Sequence, residues 1–92
     1  MQPLTQALPG ALAELLREVP TSEGKVNFAW RAAVGPAVER VSKVRLENHV
    51  LIVEPVNATW AREITRSSPV ILTRLQTLLG TETVTRILVR EP

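Results

Sequence analysis

Residues 43–53 read Lys-Val-Arg-Leu-Glu-Asn-His-Val-Leu-Ile-Val, and this stretch decides the fold. Val44 and Leu46 alternate with Lys43, Arg45 and Glu47, the period of a strand with one face against a core. A second, more apolar run follows from Val50 to Val56, and only Asn48-His49 separates the two. A two-residue gap opened by Asn suits the positive-φ turn that joins antiparallel strands, so 43–47 and 50–56 are predicted as a hairpin.

Downstream, Asn57 is a natural N-cap for a helix over 58–79, whose apolar stripe is Trp60, Ile64, Ile71, Leu75, Leu78 and Leu79, with Gly80 as its stop. Ser67-Ser68-Pro69 falls inside that span, which predicts a kink near 68 or two abutting helices. Residues 84–90 read as a last strand. A helix this long can cross the sheet and return its strand parallel to the one before. Upstream, Thr21-Ser22 cap a helix over 22–34 with stripe Val26, Ala29, Trp30, Ala33 and Val34. Gly35-Pro36 then stop or bend the chain into a short helix over 36–41. A first helix is predicted over 8–19, carrying Leu8, Leu12, Leu15, Leu16 and Val19, with Pro9 in its first turn and Pro20 after it.

The order is therefore ααββαβ, helix, helix, strand, strand, helix, strand, with the short helix as an appendage. It predicts an α+β, two-layer architecture: one domain over 1–92, a three-stranded mixed sheet, and helices packed on one face. With no Tyr and a single Phe, the two tryptophans dominate the aromatic content. Trp30 closes one helical stripe and Trp60 opens another, so both are expected as buried anchors of a shared core, with Leu51, Val53, Ile64 and Leu75.

Alternation also predicts a second face. If Leu46, Leu51, Val53, Ile87 and Val89 point at the helices, the opposite side carries the apolar strip Val50, Ile52 and Leu88, bordered by Lys43, Arg45, Arg86 and Arg90. A solvated face is more uniformly polar, which favours a partner surface. Arg62 and Arg66, four apart on the long helix, are a second basic candidate. The competing reading is that these arginines pair with Glu47, Glu54 or Glu63 and carry no function.

Composition narrows the function classes. The 92 residues include no Cys and no Asp, one His, nine Glu and eleven basic residues, nine of them Arg, for a net charge of +2. The isoelectric point is near 9.9. Arg suits bidentate phosphate contacts, and a GC-rich genome supplies the same bias. A Ser-His-Asp triad lacks its Asp, and His49 sits at a turn tip. One His without Cys offers no metal-ligand spacing, and the four glycines form no phosphate-binding loop. No catalytic residue, metal or cofactor is expected. No apolar run reaches membrane-spanning length and no signal-peptide layout opens the chain, so a soluble, cytoplasmic protein is expected.

Trp30 with Ala33-Val34-Gly35, then Leu51-Ile52-Val53, then Ala58-Thr59-Trp60-Ala61-Arg62-Glu63-Ile64, then Leu75 to Leu79-Gly80 and Val84 to Val89, form a pattern over about two-thirds of the chain. In order and interval it resembles the DciA family of bacterial replicative-helicase loaders and its small KH-like domain. The resemblance implies a non-enzymatic accessory protein of DNA replication that works in helicase loading, with the replicative DNA helicase as partner and weak binding of single-stranded DNA. No GxxG loop is present, so the RNA clamp of true KH domains is not expected. The alternative left open is a protein-interaction or self-associating module, a homodimer through the sheet face, with no nucleic-acid role.

Overall fold

The computed structural model describes residues 14–15 and 20–92. The helix expected over 8–19 lies outside the described residues except for Glu14 and Leu15, which are helical. Leu15, expected on the apolar stripe, is instead 60% exposed. The described elements run α1 (Glu23–Val34), α2 (Pro36–Arg40), β1 (Ser42–Glu47), β2 (Val50–Pro55), α3 (Ala58–Leu79) and β3 (Arg86–Val89). This is an α+β fold in the order ααββαβ, with the strands in spatial order β1-β2-β3. β2 is central, antiparallel to β1 and parallel to β3.

Each junction has a local cause. Ser22 stands outside α1 as its N-cap, its hydroxyl accepting from the Lys25 N–H. Gly35 ends α1 at φ 87°, ψ 166°, a backbone region open to glycine almost alone, and hands the chain to Pro36 at the first turn of α2. The predicted 36–41 helix closes at Arg40. The hairpin turns on Asn48 (φ 48°) and His49 (φ 66°), both positive as a type I′ turn requires. β1 starts one residue earlier than predicted and β2 ends one earlier, at Pro55. The Val56 N–H donates to the Val41 carbonyl at 2.9 Å, closing the base of the hairpin.

Asn57 caps α3, its side-chain oxygen accepting from the Trp60 N–H at 2.9 Å. α3 then runs as one helix through Pro69 to Leu79, so the abutting pair of helices does not form. Proline has no N–H for the carbonyl four residues back, that of Thr65. The Ser68 hydroxyl donates to that carbonyl at 2.9 Å in its place. The last strand is shorter than the predicted 84–90. Val84 is buried in the core instead, its carbonyl accepting from Gln76 Nε2, and pairing with β2 begins at Arg86.

The helices cover one sheet face. The core is built from Val26, Ala29, Trp30 and Ala33 of α1, Leu51 and Val53 of β2, Ile64, Ile71, Leu75, Leu78 and Leu79 of α3, and Val84. Val44, Leu46, Ile87 and Val89 complete it from the edge strands, so the alternation sets the buried parity on all three. Trp30 is 1% exposed, and its indole Nε1 donates to Ser42 Oγ at 2.9 Å. The Ser42 hydroxyl passes the chain on to the Val38 carbonyl at 2.6 Å. One side chain thereby ties α1, α2 and β1 together.

Trp60 departs from expectation. It is only half-buried and stands outside the core cluster. It lines the space between α3 and Ala33, Val34 and Val38, beside the core rather than within it.

Candidate binding surfaces

Register places the outer sheet face in three rows. Glu47, Val50 and Arg86 form one, Arg45, Ile52 and Leu88 the next, and Lys43 lies opposite Glu54 in the third. Arg90 continues the alternation of Arg86 and Leu88, and its N–H extends the ladder by donating to the Val53 carbonyl at 2.9 Å. Four cations thus share the face with two carboxylates.

The cations are not equivalent. Arg45 donates through Nε to Glu47 and through Nη1 to Glu54 at 2.8 Å, bridging both carboxylates across the hairpin. Its guanidinium is held above its ordinary value, chiefly by the hydrogen bond to Glu47; desolvation opposes this, and the Glu47 and Glu54 charges and the Glu54 hydrogen bond add to it. Lys43, Arg86 and Arg90 are exposed, and no ion pair among the described residues engages them. The apolar strip is narrower than predicted. Leu88 is 41% exposed and Val50 half-buried, whereas Ile52 is only 8% exposed. Ile52 sits mid-sheet between Arg45 and Leu88, whose side chains flank it at cross-strand spacing and shield it.

Arg62 and Arg66 lie elsewhere. They line a shallow groove of about 410 Å³ between α3 and the end of β3, with Thr65, Val89 and Glu91. Arg66 pairs with Glu63 at 3.5 Å. The structure therefore separates the two predicted basic clusters, one on the sheet and one on the helix.

A further feature had no part in the sequence reading. A cleft of about 210 Å³ opens where α1 and α2 meet α3. Ala33, Val34 and Val38 form one wall, and Ile64 and Ile71 the floor. Trp60, Glu63, Ser67 and Arg74 complete it. Arg74 donates through Nη1 to the Ala33 carbonyl at 2.9 Å, satisfying one of the open carbonyls at the end of α1. Its Nε is buried and has no hydrogen-bond partner. Leaving such a donor unsatisfied costs about 1–3 kcal/mol. One signal was present in the sequence: Trp60, Ser67 and Arg74 recur at seven-residue spacing, which sets them in one line along a helix.

Among the described residues, no three His, Cys, Asp or Glu side chains gather as metal ligands, and no helix is long and apolar enough to cross a membrane. The fold is a small two-layer α+β domain with a basic sheet face and an aromatic-walled cleft on its helical side. The chain belongs to the DciA family. The family model described as Dna[CI] antecedent, DciA matches residues 3–89. That is a family of replicative-helicase loaders and accessories, not of enzymes. No curated protein and no solved structure matches the chain.

Proposed function

We propose that this chain is a non-enzymatic accessory of DNA replication that binds the replicative helicase and holds single-stranded DNA weakly on its outer sheet face. It acts in the cytoplasm, where that helicase works. The observation that carries the reading is the family match over 3–89, which spans every described element. The DNA part is supported by Lys43, Arg86 and Arg90, exposed cations on one face, with Arg62 and Arg66 as a lesser site. Arg45 contributes less, because two carboxylates already occupy its guanidinium.

So few cations support micromolar or poorer affinity at physiological salt. About three phosphate contacts on a single strand give a log–log salt slope near −2. Anisotropy of a labelled oligothymidylate checks this: Arg86→Glu with Arg90→Glu abolishes binding, whereas Arg45→Ala weakens it only slightly. Pull-down with the host's replicative helicase, with and without single-stranded DNA, tests the partner. Helicase retention by neither form refutes the main reading. A second reading, self-association, is favoured by β3, which lies at the sheet edge with Leu88 exposed. A mass that rises with concentration in sedimentation equilibrium would support it.

A further inference from the structure

We propose that the cleft between α1, α2 and α3 is a docking pocket for a protein segment that presents an apolar side chain beside a carboxylate. The class of occupant follows from the cleft. That the helicase supplies the segment rests on the function proposed above.

The cleft's volume of about 210 Å³ falls below the ~300–1,000 Å³ of small-molecule sites. It is the size of one large side chain. Its lining is largely apolar, with Ala33, Ile64 and Ile71 all buried, while Trp60 stands half-exposed. An apolar anchor set against an indole is the pattern of interface hot spots. Arg74 adds the polar requirement. One corner of its guanidinium is committed to the Ala33 carbonyl, and its Nε lacks an acceptor. The planar fork of Arg matches a carboxylate, which takes two parallel N–H bonds.

Glu63 then selects between macromolecules. It lies in the lining of the same cleft, with its side chain 53% exposed. A single carboxylate can meet Arg74 and leave Glu63 in solvent. A polyphosphate strand seated in the cleft must run past that carboxylate, a repulsive element against nucleic acid that its exposed pair with Arg66 only partly offsets. The charge pattern therefore favours a peptide over DNA.

The test uses the isotopically labelled full chain and a minimal probe, N-acetyl-leucine, which sets a leucine side chain beside a carboxylate. N-acetyl-leucinamide is the uncharged control at matched ionic strength. The acid is expected to shift the Trp60 indole N–H and Arg74 Nε–H resonances, leave the Trp30 indole unmoved, and bind about tenfold more tightly than the amide. Ser67→Trp fills the cleft from an exposed position and removes the response with the amide spectrum otherwise native. Arg74→Met removes the preference for the acid. Absence of shifts up to the probe's solubility limit, or equal binding of acid and amide, overturns the pocket. So does an oligothymidylate that moves these resonances where N-acetyl-leucine does not, an outcome that would make the cleft a nucleobase site. The helicase is judged separately. Probe shifts without helicase binding by the unmodified chain keep the pocket and refute the helicase reading. Undiminished helicase binding by Ser67→Trp removes the pocket from that interface.

Discussion

Replacing each tryptophan by alanine separates two roles that the sequence presents as alike. Trp30 is 1% exposed, packs in the core and donates through its indole to Ser42. Trp30→Ala loses the transfer energy of the ring and leaves a cavity, about 3–5 kcal/mol for a fully buried aromatic. It also removes the donor that ties α1 to β1, a loss on the order of 1 kcal/mol. A domain of this size is stable by about 5–14 kcal/mol, so the substitution consumes a large share. Trp60 is half-buried at the rim of the cleft and outside the core cluster. Only part of its ring area is lost from packing, and Trp60→Ala is expected to cost about 2 kcal/mol. Urea unfolding followed by far-ultraviolet circular dichroism gives both values, with the slope of the transition checked for constancy. Acrylamide quenching in Trp30→Phe, where Trp60 is the sole fluorophore, reads its exposure directly. Equal losses for the two alanine variants, or a Trp60 indole inaccessible to quencher, would refute the asymmetry.

The other expectations concern backbone devices. Pro69→Ala restores the missing N–H inside α3 and should stabilise the chain by up to about 3 kcal/mol in thermal unfolding. Ser68→Ala should cost about 1 kcal/mol, and much less in the Pro69→Ala background, where the restored N–H also donates to the Thr65 carbonyl. Gly35→Ala should lose about 1–3 kcal/mol from conformation alone, since a Cβ there meets no atom within 4 Å. His49→Gly should gain about 0.5–1 kcal/mol by relieving the second positive-φ position of the hairpin turn.

The hairpin was legible because two independent signals agreed: the alternation around Val44 and Leu46, and an Asn-His pair able to hold positive φ. The buried parity of the sheet followed from it. What escaped reading depended on distances beyond one element. A helical stripe tells which side of α3 faces the core but not how fully each position on it is covered, so Trp60 was taken for a core residue. The helix predicted over 58–79 does form through Pro69, and only the alternative of two abutting helices fails, since the Ser68 hydroxyl donates to the Thr65 carbonyl that proline leaves without its N–H. Pairing of the arginines with Glu47, Glu54 or Glu63 was one reading of the sequence, and Arg45 and Arg66 make those pairs, whereas the engagement of Arg74 by Ala33 needs two helices already packed. The resemblance to the DciA family was visible in scattered apolar and tryptophan positions, and the family match agrees with it.

The parallel pairing of β3 sets the order in which the molecule can assemble. β1 and β2 meet across two residues, but Val50 finds Arg86 only after the whole of α3 has been made and laid back over the sheet. Non-local pairings close slowly, because the chain entropy is lost before the contact forms. Until then the central strand is an edge, with Leu51, Ile52 and Val53 open to other chains. The two bonds from the Thr85 N–H and hydroxyl to the His49 carbonyl, at 2.8 and 3.0 Å, mark where the returning strand first meets the hairpin. They fasten the start of β3 to the hairpin turn, and a chain with β3 in place no longer presents that edge of the central strand.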